Sequence, residues 1–191
     1  MKLQKVIQRL QKLHKKKIDL SLDRTFKLLK KLGNPQDKLE NVISVVGTNS
    51  KYSMIKSFQS ILNQAGYKCN LYTSPHLQSY SERYIYDDKE IDEDNLADLL
   101  EDIEKINGSD NLSEFEALTC AYLKYCEQYK DNITFMEAGL FHQYDACSVF
   151  KNNLCTLLGS ISIDHLSWIE NKTIDGIIHE KTTKLLNSKI F

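Results

Sequence analysis

The stretch Gly47-Thr48-Asn49-Ser50-Lys51-Tyr52-Ser53 sets a lysine among short hydroxyl side chains, where a β-branched run gives way to a helical pattern. Such a placement suits phosphate. Consecutive backbone N–H groups at a helix start surround the anion, a lysine neutralises it, and a hydroxyl can ligate Mg²⁺. The strict G-x-x-x-x-G-K-[ST] pattern is not met, because the glycine positions hold Ser50 and Val45 and Tyr52 follows the lysine. An ordinary strand-to-helix turn therefore stands beside the phosphate reading. Further along, Glu137 and the pair Asp164-His165 could enter a metal shell. Taken singly, they read more simply as a capping carboxylate and a hydrogen-bonded turn than as metal ligands. Lys181 by itself reads as a surface charge on an amphipathic helix, and Phe115 as core.

The elements that must position these groups follow from periodicity. Leu3, Val6, Ile7, Leu10 and Leu13 recur at helical spacing, so the lysine-rich start is an amphipathic helix with a solvated basic face. A second helix is expected over 22–32, stopped by Gly33-Asn34-Pro35. "NVISVVG", "SMIKSFQSILNQAG" and "KCNLYT" form a β-α-β unit, with Gly66 ending the helix. "ERYIYDDKEI" reads as a hairpin turning at Asp87-Asp88, and "DEDNLADLLEDIEKIN" as a helix with an acidic first turn. "SEFEALTCAYLKYCEQY" is a helix with Ser113 and Glu116 spaced as a capping box. "NITFMEAG" and "NLCTLLGSISID" read as strands buried on both faces, and "KTIDGIIHEKTTKLL" as a closing helix. The expected fold is α/β: a mostly parallel sheet with helices on both faces. Ligands collect at the carboxyl ends of such strands, and Gly47, Thr73, Glu137 and Asp164 all fall at or just past expected strand ends.

Composition narrows the functional classes. The chain has 191 residues, 41% of them hydrophobic, enough for a substantial core. Its 25 Lys and Arg against 26 Asp and Glu leave a net charge of −1, which argues against nucleic acid or an anionic membrane as partner. Five cysteines, odd in number and without Cys-x-x-Cys spacing, point to reduced thiols and a cytoplasmic setting. No signal peptide is expected, and no run approaches the ~18 apolar residues of a membrane span.

Six motifs in order resemble the folylpolyglutamate synthase and dihydrofolate synthase family, relatives of the Mur ligases. "VVGTNSKYS" is similar to the family's G-T-N-G-K-G-S loop, and "GYKCNLYTSPHLQSYSERY" to its Y-T-S-P-H-L stretch with the following E-R. "SEFEALTCAYL", "MEAGLFHQYDA", "SISIDH" and "HEK" resemble four further family segments, so the match covers roughly residues 22–186. The resemblance implies a P-loop-containing α/β fold, part of a Mur ligase-like central ATPase domain over 1–191, with the carboxy-terminal glutamate ligase domain absent. It also implies a reaction: ATP converts a carboxylate on a pterin-linked acceptor into an acyl phosphate, and the amine of L-glutamate attacks it.

By the same resemblance, Gly47, Thr48, Asn49, Ser50, Lys51, Tyr52 and Ser53 bind ATP, and Lys51 neutralises the transferred phosphoryl group. Ser53, Glu137, His165 and Lys181 ligate Mg²⁺, Lys181 matching a lysine that in the family can be carbamylated to serve a second metal. One extra residue separates His165 from Lys181 relative to the family, within "WIENKT". Ser74, Pro75, His76, Ser113, Phe115, Asp145 and Ala146 fall on the pterin side. The expected small molecules are ATP, Mg²⁺, dihydropteroate or folate, and L-glutamate, and a partner chain could supply the missing region. Two family glycines are Ser50 and Tyr52 here, and Phe141-His142-Gln143 stand where the family has Gly-Gly-Arg. These departures keep two rivals open: a non-catalytic remnant or interaction protein that retains the fold, and a small P-loop kinase. A truncated sheet is further expected to expose an apolar face.

Overall fold

The structure is a computed structural model and describes residues 2–13 and 21–187. In chain order its elements are α1 (Lys2–Leu10), α2 (Asp23–Lys31), β1 (Val42–Val46), α3 (Lys51–Gln64), β2 (Cys69–Tyr72), β3 (Tyr84–Tyr86) and β4 (Lys89–Glu90). They continue with α4 (Glu93–Asn107), α5 (Glu114–Cys126), β5 (Ile133–Glu137), β6 (Cys155–Leu158) and α6 (Ile174–Thr182). The lysine run after Leu13 lies outside the described residues.

The six strands form one sheet in the order β4-β3-β2-β5-β1-β6. Four neighbouring strands, β2-β5-β1-β6, run parallel, and the β3–β4 hairpin adds antiparallel pairs at one edge. Alternation along each strand assigns its side chains to the two faces. Ile43, Val45, Cys69, Leu71, Phe135 and Leu157 pack with Ile55 of α3 on one face. Val42, Tyr72, Tyr84, Tyr86 and Met136 join α1, α2, α4 and α5 in a larger core on the other. Every residue of β1 is therefore buried, which is why that run lacks a polar-out alternation.

Local signals act where the sequence places them. α3 ends in a Schellman turn at Gly66 (φ +87°), with Tyr67 N–H donating to Leu62 O and Gly66 N–H to Asn63 O, each at 3.0 Å. Asp87 and Asp88 both adopt positive φ and close the β3–β4 hairpin. The Ser113–Glu116 capping box at α5 is present in both directions.

Two expected elements are shorter than the sequence implies. The apolar run 153–164 is strand only over Cys155–Leu158, and Ile163 is 69% exposed. After Leu158 the chain turns against the loop that follows β1: Gly159 N–H donates to Val46 O at 2.8 Å, and Thr48 N–H reaches Ser160 O at 2.8 Å. Asp164 therefore lies six residues past the end of β6, not at a strand end. The closing helix is likewise shorter, with α6 giving way to a 3₁₀ turn at Thr183–Asn187.

Candidate functional site at the carboxyl ends of the strands

β1 and β5 are neighbours, so their carboxyl ends bring the loop after Val46 beside Glu137. The chain leaves β1 through Gly47 (φ +152°), where a Cβ would sit 3.2 Å from the Cα of Gly159. Only a residue without a side chain permits that approach. Ser50 then takes a left-handed conformation (φ +68°) before α3 begins at Lys51. Tyr52 is inside the helix and 57% exposed, so of the two glycine replacements only Ser50 carries backbone strain. Replacing Ser50 with glycine is expected to stabilise the protein by about 0.5–1 kcal/mol, raising Tm by about 1–4 °C. A calorimetric or circular-dichroism melt checks this, and an unchanged or lower Tm contradicts it.

Lys51 folds back over its own loop. Its Nζ donates to Gly47 O at 3.3 Å and Thr48 O at 3.2 Å, and stands 3.8 Å from Glu137 Oε1. The two hydrogen bonds are long and the ion pair is at the edge of contact. Glu137 is buried, and its other oxygen accepts from Ser74 N–H at 2.9 Å. Burial holds its pKa above the ordinary carboxylate value, while the Ser74 N–H and Lys51 oppose that shift. An open cleft of about 580 Å³ adjoins this pair; Lys51, Tyr52 and Lys56 of α3 contribute to it, as do Ser74 and Pro75 from the loop after β2.

Lys181 is not a surface charge. It is 2% exposed and donates to Gly47 O at 3.1 Å and Leu140 O at 2.8 Å, with the Phe141 ring centroid 5.6 Å away. Burial, then repulsion from Lys51, lowers its pKa to about 8, although Asp164 and Asp145 favour its charged form. Lys51 and Lys181 thus meet at the carbonyl of Gly47.

Asp145, which the resemblance places on the pterin side, is buried. One oxygen accepts from Gly139 N–H (2.9 Å) and Leu140 N–H (3.0 Å), the other from Cys147 N–H (2.9 Å). Desolvation raises its pKa, and these donors oppose the rise. Phe115 stands beside it: a Cβ on Gly139 would lie 2.8 Å from Phe115 Cζ and 3.3 Å from Asp145 Oδ2. Ala146 is buried next in the chain, and Ser113 caps the helix that carries Phe115.

The loop 74–77 begins with a cis Ser74-Pro75 bond. Glu82 ties its far end, accepting from the N–H groups of Leu77, Gln78 and Ser79 at 2.7–2.8 Å. His76 accepts from Arg83 Nε at 2.9 Å and stacks on Tyr80, so it faces its own loop. Glu82 and Lys56 are site neighbours that sequence reasoning left unassigned. Glu82 is caught only by the family's following E-R, and Lys56 by its place one helical turn past Tyr52.

The expected metal set is only partly gathered. His165 (φ +54°) pairs with Asp164 at 3.1 Å and meets the Phe141 ring edge-on, and Ser53 is exposed on the first turn of α3. Among the described residues no group of three His, Cys, Asp or Glu side chains is placed to hold a metal ion.

A mostly parallel α/β sheet with this glycine-led turn, lysine and strand-end carboxylate is a P-loop-containing fold of the Mur ligase-like class. No protein-family profile matches the chain. It is 35% identical to the dihydrofolate synthetase of Saccharomyces cerevisiae, over 86% of this chain and 39% of that protein. It is 33% identical to the dihydrofolate synthase/folylpolyglutamate synthase of Escherichia coli, over 84% of this chain and 37% of that protein. Among solved structures, E. coli FolC in complex with DHPP and ADP superposes with a TM-score of 0.87 at 32% identity, covering 94% of this chain and 43% of that one. A bifunctional folylpolyglutamate synthase/dihydrofolate synthase with Mn, AMPPNP and L-glutamate bound gives 0.83 at 28% identity, covering 94% of this chain and 43% of that one. The chain is homologous to the amino-terminal portion of the folylpolyglutamate synthase/dihydrofolate synthase family, and spans about two fifths of the length of the relatives it matches.

Proposed function

We propose that this chain is the ATP-, Mg²⁺- and pterin-binding part of an ATP-dependent ligase that joins L-glutamate to dihydropteroate or folate through an acyl phosphate. The observation that carries the reading is the Lys51–Glu137 pair, 3.8 Å apart where the turn after β1 meets the end of β5. The ADP, DHPP and L-glutamate held by the solved relatives support it.

The residues present fit a nucleotide. The first turn of α3 carries no acidic side chain, so its free N–H groups and helix dipole present positive charge alone. Lys51 has only long contacts to give up. ATP would be held by Gly47, Thr48, Asn49, Ser50, Lys51, Tyr52 and Ser53, and Mg²⁺ by Ser53, Glu137, His165 and Lys181. ATP supplies the phosphoryl group that activates the acceptor's carboxylate. Lys51 offsets charge on the phosphates, and Glu137 keeps an oxygen facing the cleft because Ser74 N–H fixes the other. A lysine with its pKa near 8 keeps a fraction of neutral amine at neutral pH, the form that a carbamate requires, and Lys181 meets that condition. Ser74, Pro75 and His76 would border the acceptor, and Ser113, Phe115, Asp145 and Ala146 its pterin.

On this reading residues 1–191 make up part of a Mur ligase-like ATP-binding domain. Glutamate transfer then needs polypeptide equivalent to the rest of the relatives' length, on this chain or a partner. No described helix is long and apolar enough to cross a membrane, and free thiols at all five cysteines support a cytoplasmic setting.

The test is a calorimetric titration with MgATP, followed by dihydropteroate, and an assay for glutamate transfer to the acceptor. Saturable binding of both ligands is expected. Failure of a folded chain to bind MgATP overturns the proposal, and binding of both without transfer by the longest natural polypeptide makes this a non-catalytic binding protein.

A further inference from the structure

α2 and α5 are far apart in sequence, and a part-buried ion pair joins them at the point where α5 begins. Arg24 Nη2 donates to Glu116 Oε1 at 2.9 Å and Arg24 Nε to Glu116 Oε2 at 3.2 Å, a two-pronged pairing of guanidinium and carboxylate. Glu116 is also the return half of the α5 capping box: its Oε2 accepts from Ser113 N–H at 2.7 Å, while Ser113 Oγ accepts from Glu116 N–H at 3.3 Å. A capping-box glutamate ordinarily faces water, but this one is 5% exposed. A carboxylate so buried requires a cation, and Arg24 supplies it.

The turn fixed in this way carries Phe115, whose ring lies against Gly139. Asp145 collects the N–H groups of Gly139 and Leu140, and its Oδ2 lies beside that ring, both bordering the position a Gly139 Cβ would take. One line of contacts therefore runs from Arg24 through Glu116 and the first turn of α5 to Phe115, Gly139 and Asp145. Resting on the reading of Ser113, Phe115 and Asp145 as pterin contacts, we propose that Arg24 is a positioning residue of the pterin pocket. It acts through Glu116 to set the spacing between Phe115 and Asp145. Recognition of a flat heterocycle depends on such spacing to a fraction of an ångström.

Arg24→Lys keeps the cation, and with it the folded chain, but loses the planar fork. The variant is expected to weaken dihydropteroate binding at least about 5-fold while MgATP binding changes less than about 2-fold, because this line of contacts reaches the loop after β1 only at second hand, through Lys181 between Leu140 O and Gly47 O. Amide hydrogen exchange, read without ligand, is expected to quicken at Glu116 and Ala117 and also at Gly139 and Leu140. A merely structural ion pair would loosen α5 alone. Exchange changes confined to α5, an unchanged dihydropteroate Kd, or equal losses of MgATP and dihydropteroate affinity would each overturn the proposal. If the wild-type chain binds MgATP but no dihydropteroate, the pterin reading fails by itself, and exchange at Gly139 and Leu140 still decides whether Arg24 sets that wall.

Discussion

Replacing Lys51 with methionine is expected to weaken MgATP binding by about 100-fold, a loss of about 3 kcal/mol, while the fold survives. The ammonium now rests on two carbonyls at 3.2–3.3 Å, contacts long enough to be exchanged for phosphate oxygens with little loss. Methionine keeps the length and apolar stem, so the part-buried packing beside Glu137 is retained. The carboxyl of Glu137, already raised by burial, then loses its nearest cation and rises further; protonation limits what the substitution costs in stability. Titration calorimetry of wild type and variant at equal ionic strength measures the ratio. An affinity within about 3-fold of wild type would mean that the glycine-poor loop does not hold the phosphates.

Much of this arrangement is legible in the sequence because it depends on local signals. Helix stops at Gly33 and Gly66, the Asp87-Asp88 turn and the Ser113–Glu116 box each declare themselves within four residues, and each is realised. The uninterrupted apolar runs of β1 and β5 announce strands covered on both faces, and the β-α-β order makes β1 and β2 parallel, while the insertion of β5 between them is not announced by the sequence. What escapes is whatever rests on contacts between distant segments. β6 ends at Leu158, where Gly159 N–H bonds the last carbonyl of β1 and Ser160 O accepts from Thr48 in the loop beyond, and no run of residues from 153 to 164 signals that. Lys181 looks like a surface lysine on a helix of mixed character, and only the fold reveals that its ammonium is buried against Gly47 O, 134 residues away. Asp145 presents the same difficulty: its ligands are the backbone N–H groups of its own loop, and such bonds carry no sequence signature. The motif order located the loop, the strand-end carboxylate and Phe115, but it did not contain their electrostatics.

Those electrostatics make the folded chain sensitive to mild acid through His142, one of the residues standing where the family carries Gly-Gly-Arg. Its ring is buried, with Nδ1 2.8 Å from Ser148 Oγ, and Lys184 donates to Ser148 O at 3.1 Å close by. Burial, and secondarily the Lys184 charge, lowers its pKa to about 4. In the unfolded chain the imidazole takes a proton near pH 6.5. Above that pH both states are neutral and the group contributes nothing to pH dependence. As pH falls from 6.5 to 4 the unfolded state binds a proton that the native state does not, so stability falls across this window, by about 3 kcal/mol in all. The raised carboxyl groups of Glu137 and Asp145 act oppositely, because the native state takes up their protons first on acidification. The difference between wild type and His142→Asn therefore isolates the histidine: asparagine can still hydrogen-bond Ser148 but cannot titrate. Urea unfolding at intervals from pH 7.5 to 4 is expected to show wild type losing stability relative to the variant below pH 6.5. Parallel profiles would mean that His142 is protonated in the native chain, and that the Phe141-His142-Gln143 loop opens to solvent where this structure closes it against Ser148.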